Sequence, residues 1–282
     1  CTLLLDRKFN YSWYLMNYEN KQLLNNYKKL IFDAVKNAGK IALEYGKGKI
    51  NFWYKSKNQP VSDADIKIND YLKTFLQEKY PNFGWLSEET VDDGSRNMQK
   101  NFWCLDPIDG TRSFLNGKPE FTISLALMNK SIPIFGIIYN PKTKELFHAE
   151  KKNGAFCNDK QIKVNNEIYI RNCKLGISNS EFENLKRFPT LKNLKISRMG
   201  SIAYKIALVA KGEIDIAMSL TKKSDWDLAA GALIVEEAGG TITERNGEPL
   251  VYNTDTLEIS SIIAANSKIH KEMLENIKSH EK

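Results

Sequence analysis

Four β-rich runs follow one another between Phe102 and Lys152: FWCLD, EFTISLALMN, IPIFGIIYN and LFHAEKK. The short turn NPKTKE joins the last two, too few residues for a crossover helix, so the runs pair as an antiparallel meander. The segments on either side have a different period. From 18 to 45, Leu23, Leu24, Tyr27, Leu30, Ile31, Ala34, Val35, Ala38, Ile41 and Ala42 recur three and four apart, which predicts an amphipathic helix ended by Gly46, Lys47 and Gly48. A polar loop then leads through caps at Ser62 or Asp63 into a second helix carrying Ile68, Leu72, Phe75 and Leu76. FGWLS reads as a short strand that runs into a polar loop, with Glu88 and Glu89 at its end. Beyond about residue 168, strands (KLGISN, IDIAMSL, SSIIAAN) alternate with helices (SIAYKIALVAKG, DWDLAAGALIVEEAGG), the pattern of a three-layer α/β unit. The expected organisation is an α+β subdomain over 1–167 and an α/β subdomain over 168–282. No internal repeat or low-complexity segment stands out.

At 282 residues the chain can bury a substantial core. Its 41 basic residues exceed its 34 acidic ones, but only seven are arginine and the lysines are spread along every segment. That is general surface charge, so small anionic substrates are expected as partners and a nucleic-acid polymer is not. Four scattered cysteines without C-x-x-C spacing indicate neither a zinc knuckle nor a disulfide framework, and a reducing cytoplasm is expected. The leucine run at 3–5, broken by Asp6, Arg7 and Lys8, is too short for a signal-peptide core or a membrane span, and Met16 is a candidate natural start.

Acidic residues fall at element ends in four separate places: Asp65, Glu88, the Asp106/Asp109 pair and Asp227. Taken singly, Asp65 and Asp227 could complement helix dipoles, Glu88 could be solvated and Asp109 could cap a turn. WCLDPIDGTRSF resists that reading. Its apolar strand ends in a half-buried carboxylate, which must be paired, protonated or bound to a cation. With histidine and cysteine nearly absent nearby, an oxygen-only site for a hard cation is the natural completion, and the Ile108 carbonyl can point into it. Gly110 and Thr111 then open a helix whose free N–H groups can hold a phosphate. Covalent phosphoryl-transfer patterns are excluded by spacing: D-x-D-G-T would need an aspartate where Pro107 stands, and C-x5-R would need an arginine where Gly110 stands.

SEE at 87–89, DPIDGT at 106–111 and WDLAAGALIVEEAGG at 226–240, preceded by SDAD, resemble the inositol monophosphatase superfamily from about Tyr18 to the C-terminus. The resemblance implies a five-layer αβαβα sandwich and a phosphatase dependent on two or three Mg²⁺ and sensitive to Li⁺. Asp106 would bridge two ions, Glu88 and the Ile108 carbonyl would complete one site, and Asp109 with Asp227 the other. Asp65 with Thr111 would orient and deprotonate the attacking water, supported by Glu89. Gly110 and Thr111 would hold the scissile phosphate, with Arg112, Gly200 and Ser201 near the substrate. A homodimer is compatible with the family.

Within that superfamily, DGTRSFLNGKPEFTISLALM and MGSIAYKIALVAKGEIDIAMS resemble the 3′(2′),5′-bisphosphate nucleotidase branch. Arg112, Lys118, Lys222 and Lys223 would then meet a second phosphate, and adenosine 3′,5′-bisphosphate is the expected substrate. Inositol 1-phosphate and histidinol phosphate are the alternatives with the same mechanism, and a metal-dependent binding or regulatory protein is the non-enzymatic one.

Overall fold

A computed structural model describes residues 28–56, 59–188, 191 and 194–280. Seven α-helices are seen among them: α1 (28–45), α2 (Asp63–Lys79), α3 (Ser95–Met98), α4 (Thr111–Leu115), α5 (Ile202–Ala210), α6 (Asp225–Glu237) and α7 (Ser267–His280). A hairpin of β1 (Phe52–Ser56) and β2 (Gln59–Ser62) precedes α2. The first sheet has seven strands in chain order: β3 (Gly84–Ser87), β4 (Asn101–Asp109), β5 (Thr122–Asn129), β6 (Ile132–Asn140), β7 (Glu145–Glu150), β8 (Ala155–Cys157) and β9 (Lys160–Ile162). Only β3 and β4 are parallel; the rest is the predicted meander. β10 (Lys174–Ile177), β11 (Lys195–Arg198), β12 (Ile216–Ser219), β14 (Gly240–Thr243) and β16 (Ile262–Asn266) make a second sheet in the order β11-β10-β12-β16-β14. β13 (Lys223–Ser224) pairs with β15 (Glu258–Ile259) beside it.

The strands of the first sheet read as near-continuous apolar runs because both faces are covered, and their period of two deals side chains into separate cores. Trp103, Leu105, Leu125, Leu127, Phe135 and Ile137 face α1 and α2, which contribute Ile31, Val35, Ala38, Ile68 and Leu72. Phe102, Cys104, Ala126, Met128 and Ile138 face α5 and α6 on the other side. Those two helices also pack on Ala217, Ile262 and Ala264 of the second sheet. That sheet's far face buries Leu175, Ile177, Met218 and Ile263 against Ile269, Met273 and Ile277 of α7. The result is the five-layer αβαβα sandwich. Its middle layer lies tight on the first sheet: a Cβ on Gly136 would come within 2.9 Å of the Ala230 carbonyl oxygen in α6.

Three local expectations are revised. The loop expected after Gly48 forms the arms of the β1–β2 hairpin, with Trp53 opposite the buried Val61. β4 does not stop at Asp106 but continues past Pro107 to Asp109, with its pairing to β5 irregular between the two aspartates. The cap of α4 is consequently Gly110, at φ 94°, and not Asp109. Residues 18–27 of the predicted first helix lie outside the described residues.

Candidate active site

Four helices begin around the end of β4. Ser62 and Asp65 form a capping box at the start of α2: Oδ2 of Asp65 accepts the Ser62 N–H at 2.8 Å and the Ser62 hydroxyl at 2.5 Å. Ser224 and Asp227 repeat the device at the start of α6, where Oδ2 of Asp227 accepts the Ser224 N–H at 2.7 Å. Asp109 is held in a related way by α5, its Oδ2 accepting the Ala203 N–H at 2.6 Å and the Ser201 hydroxyl. In each case helix N-terminal donors take one carboxylate oxygen and fix its orientation, and the partial positive charge of the helix start favours the carboxylate. The second oxygen of each is left for the site.

One oxygen each from Asp106, Asp109 and Asp227 lies within 4.8 Å of the other two. Asp106 is fixed by the Ile108 N–H, donating to Oδ1 at 3.0 Å. Oδ1 of Asp65 accepts from the Thr111 hydroxyl at 3.3 Å, and that hydroxyl also lies 3.0 Å from the Ile108 carbonyl oxygen. A cavity of about 390 Å³ opens in front, lined by Glu88, Asp106, Ile108, Asp109, Gly110, Thr111 and Asp227 at one end. Arg112, Lys118, Arg198, Met199, Gly200 and Ser178 to Ser180 stand in the remaining wall. Gly110 has no room for a side chain, since a Cβ would meet the Glu120 carbonyl oxygen at 2.9 Å, and its positive φ alone favours glycine.

Burial governs the electrostatics. It pushes Asp65 and Asp227 up to about 7 and Asp109 up to about 6; Asp227 is raised further by Asp109 and Glu88, whereas Ser201 and Ala203 restrain Asp109. Asp106 is driven well above the usual carboxylate range by burial and then by Glu88, Asp109 and Asp227. Lys205 and Lys223 offset part of this charge at Asp109, and Lys223 part of it at Asp227. Oxygen donors this close, ionised only at a cost, suit a hard divalent cation, so the residues fit the metal that the sequence implies.

Several predicted residues sit elsewhere than in the cavity wall. Ser201 is fully buried behind Asp109, where its hydroxyl also caps α5 by accepting the Tyr204 N–H at 2.9 Å. Glu89 is paired with Lys55 at 2.8 Å, and the same ammonium reaches Glu88 at 3.0 Å. Lys222 extends to Glu258 and Lys223 bonds to the Thr221 hydroxyl, so neither lines the cavity. The motif reading did not register Lys55, Glu181 or Lys205. Lys205 left a signal, a lone charge inside the apolar run IAYKIALVA. The recurrence of S-x-x-D in SDAD and SDWD, missed as a repeat, marks the two matching helix starts.

Fold and site together define a phosphatase of a metal-dependent class built on layered α/β sandwiches. The chain belongs to the inositol monophosphatase family, whose model matches residues 23–282. An inositol-1-monophosphatase of Mesorhizobium japonicum is 33% identical over 226 residues, covering 77% of this chain and 82% of that protein. A Nus factor SuhB of Xylella fastidiosa is 30% identical over 251 residues, covering 85% and 90%. Among solved structures, an IMPase of Thermotoga maritima aligns with a TM-score of 0.80 at 25% identity, covering 90% of this chain and 97% of that one. Among the described residues no helix is long and apolar enough to cross a membrane.

Proposed function

We propose that this chain hydrolyses a small phosphomonoester, inositol 1-phosphate or a similar polyol phosphate, at a Mg²⁺ centre held by Glu88, Asp106, the Ile108 carbonyl, Asp109 and Asp227. The observation that carries the reading is the convergence of Asp106, Asp109 and Asp227 beside the Asp65–Thr111 hydrogen bond. When bound, Mg²⁺ withdraws charge from the phosphoryl oxygens and offsets the charge of the departing alkoxide. The protein's own part is positioning and proton transfer. The amides of Gly110 and Thr111 at the start of α4 receive the phosphate. A water hydrogen-bonded to Thr111 Oγ1 gives up its proton as the Thr111 hydroxyl passes its own to Oδ1 of Asp65, whose pKa near neutrality suits a general base. Glu89, held by Lys55, braces the rim on that side.

Polyol phosphates are favoured by relatives named inositol-1-monophosphatase. The 3′(2′),5′-bisphosphate nucleotidase reading keeps one specific support, the cations Arg112, Lys118 and Arg198 in the cavity wall. It loses another, because neither Lys222, paired with Glu258, nor Lys223, bonded to the Thr221 hydroxyl, is part of the cavity wall. Turnover of inositol 1-phosphate, adenosine 3′,5′-bisphosphate and histidinol phosphate under saturating Mg²⁺ tests the choice. The highest kcat/KM is expected for inositol 1-phosphate. A preference for the bisphosphate that Arg112→Gln abolishes would transfer the assignment to the nucleotidase, and no hydrolysis of any ester would favour a binding or regulatory protein.

A further inference from the structure

Glu181 is 2% exposed, and its carboxylate is ringed by hydrogen-bond donors. Oε1 accepts from the Ser219 hydroxyl at 2.7 Å, the Leu220 N–H at 2.7 Å, and the N–H and hydroxyl of Thr221 at 3.0 Å each. Oε2 accepts from the Ser178 hydroxyl at 2.7 Å. Ser178 follows β10 and Ser219 ends β12, two neighbouring parallel strands, so this one side chain staples together the loops that leave their carboxyl ends. Ligands of parallel sheets lie against such ends, and Ser178 to Ser180 stand in the cavity wall.

So many donors keep the group ionised. Burial opposes its charge, but Lys223, the Ser178 and Ser219 hydroxyls and Lys205 outweigh burial and hold it below the ordinary carboxylate range. An ionised carboxylate only accepts, so the single proton of Ser178 is committed to Oε2. Ser178 Oγ also receives the Glu181 N–H at 3.2 Å, which leaves it one lone pair. Ser180 Oγ lies 3.0 Å away and fills that place with its own proton. The protons of this row therefore point inward, from Ser180 to Ser178 to Glu181. The exposed Ser180 has only lone pairs left to offer the cavity.

We infer that Glu181 is a positioning residue that makes this part of the wall a hydrogen-bond acceptor. Ser180 so directed suits a leaving group that carries a hydroxyl donor, and it disfavours a second phosphate, which can only accept. The inference rests on the phosphatase reading above. Glutamine at 181 would reverse the row without emptying the space. The Leu220 and Thr221 N–H groups require an acceptor, so the amide oxygen must take the place of Oε1 and the NH₂ must face Ser178. Ser178 then accepts from that NH₂ and turns its proton to Ser180, whose own proton is released to the cavity. Arg112, Lys118 and Arg198 attract an anion in either protein, so their pull cancels when the two are compared.

The test measures kcat/KM of the full chain under saturating Mg²⁺ for inositol 1-phosphate and adenosine 3′,5′-bisphosphate, the second taken as a competitive inhibitor if it is not cleaved. In Glu181→Gln the ratio of the two should fall by about tenfold, the inositol ester losing and the bisphosphate gaining about threefold each. Damage to packing would lower both together. The lost negative charge would also favour the bisphosphate, and Ser180→Ala separates that cause. With no hydroxyl left to turn, adding Glu181→Gln should leave the ratio within about twofold of the Ser180→Ala value. Ser180 is exposed, and Ser180→Ala alone should cost inositol 1-phosphate about threefold, so the test stands even if Glu181→Gln does not fold. An unchanged ratio in Glu181→Gln, an equal shift in the Ser180→Ala background, or no loss from Ser180→Ala overturns the role of Glu181. A wild-type chain that hydrolyses no phosphomonoester overturns the phosphatase reading, and this assignment with it.

Discussion

Replacing Asp227 by asparagine should stabilise the metal-free protein while disabling its chemistry. Burial and the neighbouring carboxylates raise Asp227 from an ordinary value of 3.8 to about 7. Ionising it in the fold at pH 8 therefore costs up to about 4 kcal/mol, at about 1.4 kcal/mol per pH unit. Because protons are shared among Asp106, Asp109 and Asp227, removing one carboxylate recovers only part of this, on the order of 1–2 kcal/mol. At roughly 2–4 °C per kcal/mol for a chain of this size, Tm in chelator should rise by roughly 2–8 °C. Asparagine retains an oxygen for the Ser224 N–H, so the start of α6 survives. The pH dependence fixes the cause. A carboxyl group whose folded pKa is raised adds stability that is complete below its unfolded value near 4 and is lost as pH rises through about 7. The gain from Asp227→Asn should thus be full at pH 8, fall to roughly a third of that at pH 5 and vanish only below about pH 4. Thermal melts of both proteins in chelator at the two pH values decide it, and an excess of Mg²⁺ should reverse the ranking at pH 8. A variant that melts below wild type at pH 8 in chelator, or gains equally at both pH values, would refute the repulsion argument.

Thr111→Ala should lower kcat by about 100-fold or more while leaving the Mg²⁺ dissociation constant within about twofold; a parallel loss of metal would place Thr111 in the metal shell instead. Millimolar Li⁺ is expected to inhibit Mg²⁺-supported turnover beyond the effect of Na⁺ at equal ionic strength, and identical curves would count against the proposed metal geometry. Gly136→Ala forces a methyl group against the Ala230 carbonyl, so Tm should fall by the equivalent of about 1–3 kcal/mol with KM unchanged. An unaltered melting curve would mean that α6 can lift from the sheet freely.

Legibility in the sequence followed how local each cause was. The helix ending at Tyr45, the meander and the α/β alternation rest on short-range periods, and those elements formed where the periods placed them. DPIDGT was legible because an apolar strand cannot end in unpaired carboxylates without a reason. Lys222 misled because neighbourhood in sequence was taken for reach in space: β13 pairs with β15, and Glu258 of that partner claims Lys222, whereas the adjacent Lys223 does act on Asp109 and Asp227. Ser201 lies beside Gly200 in the chain, yet the turn into α5 points its hydroxyl at Asp109 and away from the cavity. The pairing of Lys55 with Glu88 and Glu89 spans more than thirty residues and has no sequence signature at all.

The four helix starts around β4 divide two kinds of evolutionary freedom. Asp65, Asp109 and Asp227 are each tied by backbone donors of a helix embedded in the sandwich, so any substitution that shifts one of them must also disturb a layer. Ser178 to Ser180, Arg198 and Lys118 stand outside those ties, on connecting segments and a strand end at the cavity wall. A lineage can therefore exchange one phosphate ester for another by altering the wall while its hydrolytic apparatus stays put. Substrate choice is the cheap variable in this architecture, and reaction type the expensive one.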